Sequence, residues 1–205
     1  MNAIAGDQLA IVDGGGANIA SLTFALARLG VAGELTTDAG RIRDAERVIL
    51  PGVGAAKDAM TRLRTSRLDD LIPALTQPVL GICLGLQLLF DGSEEAQTDC
   101  LGILPGIAQR FEADVDHTVP HMGWNRVWQE PGSRLLAGIP DGAQFYFVHS
   151  YAVPVTDFTT GRCEYGKDFS AVVERGNFSA TQFHPERSGV HGARILANFI
   201  GLRHS

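Results

Sequence analysis

Three residues of this chain have types and settings suited to amide chemistry: Cys83, His184 and Glu186. Cys83 stands in Val79-Leu-Gly-Ile-Cys-Leu-Gly-Leu-Gln87, where an apolar strand runs into a cysteine bracketed by Gly81 and Gly85 and a helix follows at once. In such a turn hydrolases expose a nucleophile. Glycines two residues to either side remove side chains that would collide with neighbouring backbone. A helix that begins at the nucleophile favours an anion there through the positive end of its dipole. The backbone N–H of Leu84 is then a candidate oxyanion donor. The competing reading, a small buried hydrophobe in a core strand, is the one given to Cys100 and Cys163, which lack glycine brackets and a strand-to-helix junction.

A thiol nucleophile needs a base. His184 follows an apolar strand and precedes Pro185, which fixes the chain direction. Glu186 can accept from the second imidazole nitrogen, which sets the tautomer and stabilises the imidazolium. Such a histidine would keep the sulfur ionised and later protonate the leaving group. A surface His-Pro-Glu turn with no role is the alternative; an elbow cysteine upstream in the same chain speaks against it. Among the other histidines, His204 belongs to the tail, His191 to a helix surface and His117 to a polar loop. His121 and His149 lie beside aromatic residues and suit structural roles, with His149 the one rival base.

After an earlier strand, Gly52 and Gly54 bracket Val53. Two glycines free the peptide units to present an N–H, so Gly52, Val53 and Gly54 form a candidate second oxyanion segment. An ordinary strand-to-helix turn is the alternative. Gln87, just inside the helix after the nucleophile, is a candidate substrate-binding position. The Gly14-Gly15-Gly16 run does not make a dinucleotide fingerprint, because Ala17 to Ile19 supply no third glycine, although Asp38 sits near the place of the acid.

These residues need a scaffold. Strand-like runs at 8–13, 31–37, 47–50 and 78–82 alternate with helical spacing: Ile19, Leu22, Leu26 and Leu29 after a cap at Asn18 or Ser21, then Met60 to Leu75, then Leu84 to Phe90. Gly30 ends the first helix, and Pro51 and Gly52 are expected to stop the third strand. From Phe111 onward short strands dominate, at 125–128, 144–149, 162–164, 171–175 and 178–182, before a last helix at about 190–202. The expected architecture is α/β: a doubly wound, mostly parallel sheet with an antiparallel extension, as one domain over 1–205.

The chain has 205 residues, 45% hydrophobic and 20% charged, with a net charge of -6. That suits a globular protein and disfavours a broad nucleic-acid surface. Three cysteines in no zinc or disulfide pattern fit a reducing cytoplasm. Neither a signal peptide nor a membrane span is apparent.

Gly-Ile-Cys-Leu-Gly-Leu-Gln together with Phe-His-Pro-Glu resembles the class I glutamine amidotransferases. Pro51 to Gly54, Pro120-His-Met-Gly-Trp-Asn125 and Tyr146-Phe-Val-His-Ser-Tyr151 are similar to the glutaminase subunits of imidazole glycerol phosphate synthase. The resemblance implies that Cys83 attacks the side-chain amide of glutamine, that a thioester is hydrolysed to glutamate, and that no cofactor or metal takes part. It implies a heterodimer with a separate cyclase. That partner is a (β/α)8 barrel, and it turns the ammonia into imidazole glycerol phosphate and aminoimidazole carboxamide ribotide in histidine biosynthesis. This chain is too short to hold a barrel of about 250 residues as well. Two departures fall near the partner side: glycines at 14 to 16, and Arg187 where the family commonly has Lys. Asn18, Trp124 and Arg187 are therefore expected at the partner interface, against the alternative of a core Trp124 and a solvated Arg187. Other readings are a glutaminase feeding an anthranilate or pyridoxal phosphate synthase, and a stand-alone cysteine hydrolase.

Overall fold

A computed structural model describes residues 9–14 and 19–202. The first half builds the parallel part of the sheet: β1 (Leu9–Val12), α1 (Ile19–Arg28), β2 (Glu34–Thr36), α2 (Ala39–Asp44), β3 (Arg47–Gly52), α3 (Ala56–Thr65), α4 (Leu68–Leu71), β4 (Val79–Cys83) and α5 (Leu84–Leu88). Next come β5 (Phe90–Ser93), β6 (Thr98–Asp99), β7 (Leu104–Arg110), β8 (His121–Gln129), β9 (Ala143–His149), β10 (Tyr151–Ala152), β11 (Thr159–Tyr165), β12 (Lys167–Arg175), β13 (Phe178–Thr181) and α6 (Gly189–Gly201).

Among the described residues, nine strands make one sheet in the order β2-β1-β3-β4-β13-β12-β11-β8-β9. The pairs from β2 to β13 are parallel. Those from β13 out to β9 are antiparallel, which is the expected extension. Alternation along β1 shows why helices cover both faces. Leu9 and Ile11 pack with Leu22 and Leu26 of α1 and Ile195 and Phe199 of α6, whereas Ala10 and Val12 pack with Ile42 of α2 and Met60 and Leu63 of α3. A smaller sheet, β10-β7-β5-β6, lies beyond α5.

Several sequence expectations shift at element ends. The second strand shortens to three residues. The third does not stop at Pro51: β3 continues so that Gly52 stands opposite Cys83. Its pairing with β1 reaches only Ile49, so Pro51 lies where the strand has one partner, a place that tolerates a missing N–H. The helix expected from Met60 to Leu75 is broken at Arg67, whose φ is +53°. Phe90 belongs to β5 rather than to the helix after Cys83. Ser21 lies inside α1 rather than at its cap, and the proposed Asn18 cap falls outside the described residues. No helix among the described residues is long and apolar enough to cross a membrane.

Candidate active site

Cys83 ends β4 and α5 begins at the next residue. Its backbone has φ +55° and ψ -108°, a region that costs a non-glycine residue about 1–3 kcal/mol. Glycines make that turn buildable. A Cβ on Gly85 would lie 2.0 Å from the carbonyl oxygen of Leu50, and one on Gly81 would lie 2.7 Å from the carbonyl oxygen of Gly85. At Gly52 a Cβ would be 2.7 Å from both Gly85 N and Leu84 Cβ. The end of β3 thus rests directly on the elbow, and three glycines permit the contact.

His184 follows β13, the parallel neighbour of β4, which carries it to the same sheet end as Cys83. Its N–H donates to Tyr146 O at 3.0 Å. Ser188 braces the same junction, donating to His184 O at 2.6 Å while accepting the Tyr146 N–H at 3.0 Å. Pro185 opens a single 3-10 turn that folds Glu186 back beneath the ring. Glu186 Oε1 lies 2.9 Å from His184 Nδ1, with both side chains buried. With Nδ1 occupied, Nε2 is the nitrogen left for the Cys83 side chain, to which the imidazole also hydrogen-bonds. Burial works against a charged ring here. The hydrogen bonds to Cys83 and Glu186 and their negative charges outweigh it, and hold the His184 pKa up at about 10.

Beside this line lies a cavity of about 500 Å³. Val53, Gly54, Cys83, Leu84 and Gln87 form one side, and Pro120 and Val148 to Tyr151 the other, with His184 at the sulfur. Cys83 Sγ is 3.8 Å from Val148 O and 3.9 Å from Gln182 Nε2. Of the expected positions, Val53, Gly54, Leu84 and Gln87 reach the cavity wall, whereas Gly52 supports the elbow from behind. Gln87 uses its amide nitrogen on Tyr151 O (2.8 Å) and Gln182 Oε1 (3.1 Å). His149 lines the cavity, but its nitrogens are held by His121 and Tyr151 O. Burial pushes Cys100 up to about 11 and Cys163 still further above the ordinary thiol range, as suits structural cysteines.

Two charged groups complete the wall. Arg187 lines the cavity while its guanidinium lies 4.3 Å over the Tyr146 ring. Glu95 also lines it, and its Oε2 accepts the Ala56 N–H at 2.7 Å. The sequence carries little sign of Glu95. It lies in an irregular turn where Ala96 and Gln97 have positive φ, and no periodicity marks such a turn. Trp124 is 53% exposed and packs edge-on against Tyr146, so the core alternative for it does not hold. Asn18 lies outside the described residues.

The arrangement offers a strained, accessible sulfur, a buried imidazole–carboxylate pair behind it, and a pocket with one acid and one base on its wall. Such a set suits acyl transfer from a small zwitterionic amide. Two solved folds are similar to this one. A glutamine amidotransferase structure aligns with a TM-score of 0.72 at 18% identity, over 94% of this chain and 97% of that one. A putative GMP synthase glutaminase-type fold from Thermoplasma acidophilum aligns at 0.68 and 22%, over 94% and 92%. Similarity in sequence runs higher. The chain is 52% identical to imidazole glycerol phosphate synthase subunit HisH of Xanthomonas euvesicatoria pv. vesicatoria, over 95% of this chain and 98% of that protein. It is 50% identical to the subunit of the same name from Xylella fastidiosa, over the same shares. Residues 10–202 match the family model for glutamine amidotransferase class-I, and the chain belongs to that family.

Proposed function

We propose that this chain is the glutaminase subunit of an imidazole glycerol phosphate synthase, hydrolysing glutamine to glutamate and ammonia. The observation that carries the reading is the line from Cys83 through His184 to Glu186 at the mouth of a cavity that fits a small amino acid. Roughly half of its residues are shared with the HisH subunits over almost the full length of both chains, which supports this synthase over others of the family.

Glutamine enters with its side-chain amide toward Cys83, its α-ammonium toward Glu95 and its α-carboxylate toward Arg187. The Cys83 sulfur attacks the amide carbon, and the carbonyl electrons move onto oxygen. Backbone N–H groups of Leu84 and of the Val53–Gly54 segment stabilise that oxyanion. Protonated His184 gives its Nε2 proton to the amide nitrogen as the carbon–nitrogen bond breaks, and ammonia leaves a glutamyl thioester on Cys83. Neutral His184 then takes a proton from water, which attacks the thioester and releases glutamate. Glu186 holds the imidazole in place throughout. The ammonia passes to a cyclase partner, a (β/α)8 barrel, in a heterodimer. No step needs a cofactor or a metal.

The test is glutamate release from glutamine by the chain alone and with a candidate cyclase. Stimulation by the cyclase of a histidine-type synthase, with none by an anthranilate or pyridoxal phosphate synthase, supports the reading. Hydrolysis of unrelated amides at full rate without any partner would favour a stand-alone hydrolase.

A further inference from the structure

Behind the cavity wall stand two imidazoles that the proposed reaction does not use. His121 opens β8, His149 closes β9, and the two face each other across the ladder. Both are buried, and His121 Nδ1 lies 3.1 Å from His149 Nε2. His149 Nδ1 is 2.9 Å from the carbonyl oxygen of Tyr151. A carbonyl only accepts, so that nitrogen carries the proton. Neutral His149 then offers a lone pair at Nε2, and His121 Nδ1 donates to it. His121 Nε2 is left as an acceptor, with Asn125 Nδ2 at 3.3 Å. The orientation of Asn125 is set independently: its nitrogen donates to Glu164 O at 2.8 Å and its oxygen accepts the Arg126 N–H at 2.8 Å. Every donor points one way, from Asn125 through His121 and His149 to Tyr151.

The surroundings favour neutral rings. His121 stacks between Phe147 and Tyr165, with centroids 5.0 and 4.0 Å away, and Phe111 and Phe169 flank His149. Burial, helped by repulsion from His117, lowers the His121 pKa to about 4. Burial, helped by His121 and His184, lowers that of His149 to about 3.

What the line ends on gives it a role. Tyr151 O also accepts Gln87 Nε2, from the helix that starts at Cys83. Between the two ends of the clamp, Ser150 lines the cavity and Val148 O lies 3.8 Å from Cys83 Sγ. We propose that His121 and His149 are positioning residues for glutamine: a one-directional line of neutral imidazoles that clamps the Val148–Tyr151 wall to the nucleophile helix. The inference rests on the glutaminase reading of the cavity.

Two substitutions separate hydrogen bonding from packing. His121→Asn keeps a donor near Nδ1 but removes the ring, and His121→Phe keeps a stacked ring without a donor. With the synthase partner present, the Phe variant is expected to raise KM for glutamine about tenfold with kcat changed less than about threefold, and the Asn variant to stay within about threefold in both. The reverse order, a tolerated Phe and a damaging Asn, would overturn the proposal in favour of packing alone. Imidazole ¹⁵N spectra of the unmodified protein at about pH 6 provide a second measurement that needs no variant to fold. Both rings are expected neutral with the proton on Nδ1. An Nε2-protonated or charged form at either site overturns the proposal even if glutamine is hydrolysed normally. Absence of glutamine hydrolysis by the wild-type complex would instead overturn the function on which it rests, and leave the tautomers as they are.

Discussion

Gly85 and Leu50 meet so closely that a single methyl group on the glycine would stand 2.0 Å from the Leu50 carbonyl oxygen. Neither side of that contact has slack. Leu50 is held in β3 between β1 and β4, and Gly85 lies in the first turn of the nucleophile helix. Gly85→Ala is therefore expected to cost about 3 kcal/mol or more, the upper range for overpacking a rigid site. Denaturant midpoints read the stability. Glutaminase activity of whatever remains folded reads the geometry, and should fall with it because the Cys83 turn is what must move. An alanine variant with unchanged stability and activity would mean that the elbow is far more pliable than this contact allows.

The members of the line behind the sulfur should differ in weight. Cys83→Ser is expected to lower glutamine-dependent turnover by roughly 10³-fold or more, and His184→Ala by a comparable factor, whereas Glu186→Gln should cost less because it removes only the orienting partner. With ammonium salt supplied in place of glutamine, the paired synthase should turn over normally with all three variants. Steady-state assays with the two nitrogen sources check this. A Glu186→Gln enzyme as inactive as Cys83→Ser, with its fold intact, would give the carboxylate a larger part than orientation.

The same site gives a pH dependence whose sign follows from the shifts. The folded His184 pKa, about 10, lies above the ordinary value of 6.5. Its stabilising contribution is full below about 6.5 and is lost as pH rises through about 10. His121 and His149 shift the other way, to about 4 and about 3. Their contribution is full above about 6.5 and is lost as pH falls toward those values. Melting temperature against pH should therefore fall on both sides of neutrality. In Cys83→Ala the hydrogen bond and negative charge of the sulfur are gone, so His184 should titrate lower, moving the alkaline loss toward neutral pH. Imidazole titration by NMR reads that shift; a His184 midpoint unmoved by the substitution would exclude the sulfur as its cause.

Much of this site was legible because its chemistry is local in sequence. The glycine brackets of Cys83 and the His-Pro-Glu turn each compress a function into a few adjacent residues, and alternating apolar runs mark the central strands of the sheet that brings the two together. The parts that were not legible depend on contacts between distant segments. Glu95 reaches the cavity from an irregular turn tied to Ala56, and no spacing announces it. His121 and His149 are separated by a whole hairpin, and only the β8–β9 register makes them partners. The passage of β3 through Pro51 was hidden for a related reason: proline stops a strand that has partners on both sides, and the sequence does not show where β1 ends.

The partner face yields the last prediction. Trp124 stands opposite Tyr146 in the β8–β9 ladder and packs on it edge-on, and the Arg187 guanidinium lies over the same Tyr146 ring, 4.3 Å from its centroid. Met122, two residues before Trp124, is also exposed, at 66%. Trp124, Tyr146 and Arg187 thus form a continuous strip that runs from an apolar surface to the cavity wall. Aromatic and arginine side chains are favoured anchors in protein interfaces. A tryptophan that leaves half its surface in water gains little from burial within its own chain. Trp124→Ala is accordingly expected to change stability by less than about 1 kcal/mol and to weaken affinity for the cyclase by about 2 kcal/mol. Arg187→Ala should weaken binding less, and also raise KM for glutamine, because this side chain lines the cavity as well. Titration calorimetry with the barrel partner measures the first effect, and steady-state kinetics at saturating partner the second. Unchanged affinity in both variants would move the docking face elsewhere. A Trp124→Ala protein that melts well below wild type yet binds the cyclase normally would show that the indole serves the fold of the hairpin rather than the partner.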